Sequence, residues 1–183
     1  MMDEIEPKLS GERYDDLWWV TLRSRKYEAA EPWLRRLAGQ AVLDLGSGLN
    51  TGNFQQFIKA FGAKSYTAVD RDYKTDAYYL KGQSIMGDIL ETVKQMPNSS
   101  YSISMNGINE ELIGADSDYG QELAEQIIRL LHPDGLALGM SYGGVLSILT
   151  GRPELNHLFI PVSETIRDEQ NGFYLLSKAT TGS

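Results

Sequence analysis

The 183-residue sequence has no cysteine, only two histidines, and 17 basic residues against 25 acidic ones. Without cysteine there are no disulfides, no thiolate metal sites and no sulfur nucleophile. The net charge of −8 repels nucleic-acid phosphates at long range, and the basic residues are scattered. Their densest group, Arg23, Arg25 and Lys26 followed by Arg35 and Arg36, reads as solvated helix faces. Nucleic acid is therefore not an expected partner. No apolar run approaches ~20 residues, so no membrane-spanning helix is expected. The opening MMDEIEPKLS has neither the basic nor the apolar region of a secretory signal, and a cytoplasmic protein is expected. Repeats and low-complexity tracts are also missing. With 42 % hydrophobic and 23 % charged residues, the chain reads as a single domain over 1–183.

What is present centres on AVLDLGSGLN, Ala41 to Asn50. Val42 to Leu45 reads as a buried strand, Gly46-Ser47-Gly48 as a tight turn, and a helix starts near Asn50-Thr51. Glycines at such a turn allow positive φ and close approach of a ligand, and the helix offers free N–H groups at its first turn. Asp44 does not suit a strand covered by helices on both faces, which should be almost entirely apolar. A carboxylate there is costly unless paired or hydrogen-bonded. It stands near the carboxyl end of the strand, where open α/β sheets bind ligands. Two readings follow: Asp44 satisfies backbone donors of the glycine turn, or it faces a cationic group of a ligand.

Either side of this motif the chain alternates helix and strand. Glu12 to Ala29 reads as a helix, and Pro32 as the first turn of a second helix that stops at Gly39. Phe54, Phe57, Ile58 and Phe61 recur at helical spacing, with Gly62 as the stop. A second strand, Tyr66 to Val69, ends in Asp70, an acid spaced after the glycines as a ribose ligand would be. Arg71 follows, either against a base ring or in solvent. A short helix is expected about Ala77–Leu80, then a third strand, Ser84–Gly87, ending at Asp88 and Ile89. Asp88 equally suits a helix N-cap for 89–96. The fourth strand, Tyr101 to Met105, ends in Asn106, and Ile108 to Asp118 is polar and acidic. Gln121 to Leu131 is a clear amphipathic helix; His132 falls in the turn after it and reads as structural. Leu136 to Met140 is the fifth strand, followed by Ser141 and Tyr142. Leu158–Ile166 and Phe173–Lys178 flank the turn at 168–172 as a terminal hairpin. The expected fold is α/β: a three-layer Rossmann-like sandwich with a helical cap over 1–40, a cofactor-binding core over 41–142, and a terminal crossover and hairpin over 143–183. Its sheet has seven strands, mostly parallel, with an antiparallel terminal hairpin strand.

The conjunction of Asp44, the Gly46-Ser47-Gly48 turn, Asp70, Gly87-Asp88-Ile89, Asn106 and the terminal hairpin resembles the class I S-adenosylmethionine-dependent methyltransferases. The resemblance implies S-adenosyl-L-methionine as cofactor. Asp44 would lie near its amino-acid end, Asp70 on the ribose hydroxyls, and Asp88 and Ile89 on the adenine, with Arg71 against the ring. Gly46, Ser47, Gly48 and Asn50 would form the turn around it. Asn106 would sit beside the transferring methyl group; Tyr14, Trp18 and Trp19 either line the pocket or pack the cap onto the sheet, the latter being the favoured reading of the tryptophans. Asn106 and Tyr142 are the catalytic candidates. Asn50 replaces the family's third glycine, which puts cofactor affinity in question. No proline pair and aromatic follow Asn106, which argues against adenine and glutamine as acceptors. A divalent-metal methyltransferase would carry acids where Asn106 and Ser141-Tyr142 stand, so no metal is expected. No general base is evident; His157 would serve only if the crossover folded over the pocket, and otherwise is a loop histidine. The resulting expectation is methyl transfer to a small-molecule acceptor. A non-catalytic methyltransferase-like subunit or scaffold stays open, as does an NAD-binding oxidoreductase. Oligomeric state is not legible.

Overall fold

The computed structural model describes residues 27–48, 51–74, 79–105, 108, 117–140, 144–161 and 172–179. Seven strands form one sheet: β1 (Ala41–Leu45), β2 (Ser65–Asp70), β3 (Gly82–Met86), β4 (Tyr101–Ser104), β5 (Ala137–Met140), β6 (Leu155–Pro161) and β7 (Gly172–Lys178). Their spatial order is β3-β2-β1-β4-β5-β7-β6. The first five are parallel, whereas β7 runs antiparallel to both β5 and β6. The insertion of β7 departs from the all-parallel order of dinucleotide-binding sheets. The seven-stranded, mostly parallel sheet expected from the sequence is the one observed.

Because strand side chains alternate faces, β1 builds two cores at once. Val42 joins Tyr66, Ala68, Leu138 and Leu175 under α1 (Tyr27–Leu34) and α2 (Gly52–Ala60), whose Leu34, Phe54, Phe57 and Ile58 close that face. Leu43 and Leu45 join Val69, Ile103 and Leu176 on the other face. There α3 (Ile89–Lys94), α4 (Asp118–Leu130) and α5 (Gly144–Thr150) supply Val93, Leu123, Ile127 and Leu149. Asp44 is in step with Val42 and so belongs to the α1/α2 face.

Four sequence expectations are corrected. Pro32 does not open a new helix; it lies inside α1. The proline forfeits the bond to the Glu28 carbonyl, and the helix tightens soon after into a 3-10 turn over Arg35–Leu37, held by the fully buried Leu34 and Leu37. Gly39, with φ 74°, ends the segment as expected. Tyr79 and Leu80 form a bend, not the end of a helix. The strand expected at Leu158–Ile166 begins earlier, at Leu155, and the described strand reaches Pro161. That places His157 within a strand, opposite Leu176, and not in a loop.

Candidate functional site

The strand order reverses at β1, which pairs with β2 on one side and β4 on the other. At such a switch point the connections leave in opposite directions and open a crevice beyond the carboxyl ends of the strands. Asp44 lies at this place, in register with Ala68 of β2 and Ser104 of β4. It is 4 % exposed. The Tyr66 phenol donates a 2.6 Å hydrogen bond to its Oδ2. Tyr66, itself buried, reaches the carboxylate from two residues down the adjacent strand, a partner hidden from sequence by the 22-residue separation. Across the switch point, the Ser104 hydroxyl is buried and has no hydrogen-bond partner among the described residues. A buried polar atom in that state is rare in native proteins.

The glycine turn follows directly. Gly46 and Gly48 have φ of 68° and 65°, a region that favours glycine. The Gly46 N–H donates to the Val69 carbonyl at 2.8 Å, which ties the turn to the end of β2. A Cβ built on Gly48 would meet nothing within 4 Å, so the turn borders open space. Asp70 holds the turn in place. Its Oδ2 accepts the Gly48 N–H at 2.7 Å, and its Oδ1 accepts the N–H groups of Asp72 and Tyr73 at 2.9 and 3.0 Å. Three of the roughly four acceptor positions of a carboxylate are thereby used.

The end of β3 is stitched to the same place, because the Gly87 N–H donates to the Asp70 carbonyl at 2.9 Å. Asp88 then caps α3, its Oδ1 accepting the Glu91 N–H at 3.0 Å. The N-cap geometry weighed from sequence is therefore present. Asp88 is exposed, and among the described residues the only hydrogen-bond partner of Oδ2 is the Tyr119 phenol of α4, whose oxygen lies 3.4 and 3.3 Å from Oδ1 and Oδ2. Burial, foremost, and the neighbouring Asp88 carboxylate raise the Tyr119 pKa, so the phenol stays protonated at neutral pH. Ile89, half-buried, opens α3 beside it.

Asp44, Gly46, Ser47, Gly48, Asp70, Asp88 and Ile89 thus gather along the carboxyl ends of three adjacent strands. Arg71 turns outward to Asp72, 2.9 Å from Nη2 to Oδ2; hydrogen bonding to Asp72, then its charge, raises the arginine pKa. Asn50, Asn106, Ser141, Tyr142 and the cap residues Tyr14, Trp18 and Trp19 lie outside the described residues. His157 sits on β6, the strand at the far edge of the sheet. His132 accepts the Asp134 N–H on Nδ1 at 3.0 Å in the turn before β5, at the amino end of the sheet, a structural role as expected. Sequence reasoning missed Tyr66, Ser104 and Tyr119, and it missed Gln55. Fully buried on α2, Gln55 donates to the Thr51 hydroxyl at 2.8 Å and accepts the Tyr79 N–H at 3.2 Å. It thereby fastens the first turn of α2 to the loop after β2. A polar residue among phenylalanines at helical spacing was the available signal.

No family model matches the chain, and no curated protein matches it by sequence. Solved structures do match. SMU.1697c from Streptococcus mutans, a candidate methyltransferase in complex with SAH, superposes with a TM-score of 0.58 at 14 % identity, over 86 % of this chain and 99 % of that one. An S-adenosyl-L-methionine methyl transferase from Silicibacter pomeroyi gives a TM-score of 0.54 at 17 % identity, over 92 % and 100 %. A second Streptococcus mutans chain, a candidate SAM-dependent methyltransferase, gives 0.54 at 17 % identity; 82 % of this chain covers 47 % of that one, about half its length. The fold is that of the class I S-adenosylmethionine-dependent methyltransferases.

Proposed function

We propose that the chain binds S-adenosyl-L-methionine at the carboxyl ends of β1, β2 and β3 and transfers its methyl group to a small-molecule acceptor. The observation that carries this reading is the series of three carboxylates, Asp44, Asp70 and Asp88, on successive strand ends around a glycine turn that borders open space. Bound there, the cofactor supplies a methyl group activated by a sulfonium. The chain's own part is placement, and orientation of reactants is worth ~7–11 kcal/mol of a barrier.

Each acid has a distinct capacity for that placement. Asp44, held by Tyr66 in a nearly closed site, offers negative charge near the switch point and suits an ammonium group. Beside it the Ser104 hydroxyl has hydrogen-bonding capacity that no described residue takes up. Asp70 retains one acceptor position for a ribose hydroxyl, and a contact to two hydroxyls requires the Gly48 N–H to give way. Asp88 offers its Oδ2 to an amino group on a purine. A small acceptor is favoured over nucleic acid by the net charge of −8 and the scattered basic residues. Asn106 and Tyr142 remain the catalytic candidates by resemblance.

Calorimetric titration with S-adenosylmethionine, S-adenosylhomocysteine and NAD tests the reading, with Asp70→Ala in parallel. Micromolar binding of the first two, weakened at least tenfold in the variant, is expected; a charge-assisted hydrogen bond is worth about 1.5–3 kcal/mol. Binding of NAD alone would replace the reading with an oxidoreductase. Binding of none would replace it with a scaffold that has kept the fold and lost the ligand. Adding transfer RNA to a methylation assay beside small amines and alcohols checks the acceptor class.

A further inference from the structure

At the start of α3 two N–H groups compete for one carboxylate. An N-cap side chain ordinarily accepts from the N–H of the second or third helical residue. In α3 those are Leu90 and Glu91, with Asp88 as the cap. A carboxylate has two oxygens and is able to accept from both. Here it does not. The Leu90 N–H donates to the Tyr119 phenol oxygen at 3.2 Å, and only the Glu91 N–H reaches Asp88, through Oδ1. Since the phenol oxygen receives the Leu90 N–H, its own proton is directed away from that amide and toward the carboxylate.

We propose that Tyr119 is a positioning residue for the cofactor's purine: by taking the Leu90 N–H it leaves Asp88 Oδ2 with no backbone donor and so with capacity to accept a further hydrogen bond. This rests on the reading of Asp88 given under Proposed function. A carboxylate oxygen with capacity left suits the amino group of adenine. It repels the carbonyl oxygen that hypoxanthine carries at the same position. A site built to hydrogen-bond one donor rejects an analogue lacking it far more strongly than shape alone would. Without the phenol, the Leu90 N–H loses that acceptor in a partly buried turn, and the second oxygen of the capping carboxylate is the partner an N-cap ordinarily supplies. The carboxylate then accepts from both helix amides, and the spare capacity of Oδ2 is lost.

The experiment compares S-adenosylhomocysteine with its hypoxanthine analogue, S-inosylhomocysteine, by calorimetry. The native protein is expected to prefer the adenine ligand. In Tyr119→Phe, affinity for S-adenosylhomocysteine falls about fivefold to tenfold while affinity for the analogue holds, so the preference narrows. Asp88→Asn narrows it as well, and adding Tyr119→Phe in that background changes the ratio no further. A uniform weakening of both ligands in Tyr119→Phe reports general loosening of the fold and overturns the inference. An unchanged ratio overturns it too. If the native protein binds neither ligand, the cofactor reading falls first and the inference with it. That outcome is distinct from a native protein that binds and a variant that keeps the full preference.

Discussion

At its first turn α3 meets Tyr119, and at its last turn it meets Arg129; both side chains come from α4. At the last turn, Arg129 Nη2 donates to the Val93 carbonyl at 2.7 Å, and Nη1 donates to the Met96 carbonyl at 2.9 Å and also to the Asn98 side-chain oxygen. Nε donates to Gln126 at 2.7 Å. Four of the five guanidinium donors are thus used within the chain. The carbonyls they serve lie at the helix end, where the regular i to i−4 bonds run out; that of Val93 also accepts the Met96 N–H at 3.1 Å. At the first turn an exposed carboxylate is held by one amide and a shared phenol proton, and one oxygen retains room. A saturated polar group stabilises the fold. A polar group held in place yet left with spare capacity is suited to a ligand. The same two helices show both, about one helix length apart.

Substitutions at the two ends sharpen that contrast. The largest effect on stability is expected from Arg129→Ala. It leaves the Val93 and Met96 carbonyls without a charged donor and should lower unfolding free energy by about 2 kcal/mol, with S-adenosylhomocysteine affinity unchanged. Urea denaturation alongside calorimetry reads both; a loss of affinity at constant stability would erase the distinction between the ends. Asp88→Ala comes next. Loss of the cap should cost about 1 kcal/mol, and here affinity for S-adenosylhomocysteine should fall in parallel, about tenfold. The smallest is Lys94→Ala. Lys94 pairs with Glu122 at 2.9 Å and Glu91 at 3.0 Å, all three well solvated. Hydrogen bonds to both glutamates, that to Glu122 first, raise the lysine pKa. Pairs this exposed are screened, so no resolvable shift in the thermal midpoint is expected.

Much of the architecture was legible because its signals are local. The apolar run of β1, the phenylalanine spacing of α2 and the amphipathic α4 each fit within one element. The three acids were legible by their positions at strand ends. What they touch was not. The Tyr66–Asp44 and Gly48–Asp70 bonds each join residues 22 apart, and Tyr119–Asp88 joins residues 31 apart. Those distances are set by strand register and helix packing, which sequence spacing does not reveal. The expected third strand, Ser84–Gly87, begins at Gly82 in the structure, because an exposed edge strand such as GQSIM carries little apolar pattern. The antiparallel hairpin strand was anticipated. Its insertion between β5 and β6 was not deduced from residue pattern, since alternation fixes which face a side chain takes and not which strand lies beside it.

That insertion governs the order in which the sheet can be completed. β6 precedes β7 in the chain but, among the described residues, joins the sheet only through it, across seven paired positions from Leu155↔Lys178 to Pro161↔Gly172. A nascent chain ending short of Gly172 therefore leaves β5 with a bare side, Ala137 to Met140, and β6 with nothing in the sheet to join. Such an open edge is a template for pairing with other chains. Pairing of β5 with β7 also closes a long loop before its contacts are made, a step that slows folding. The late strand is a keystone: protection against misassembly arrives with it, and chaperone demand should peak just before it emerges.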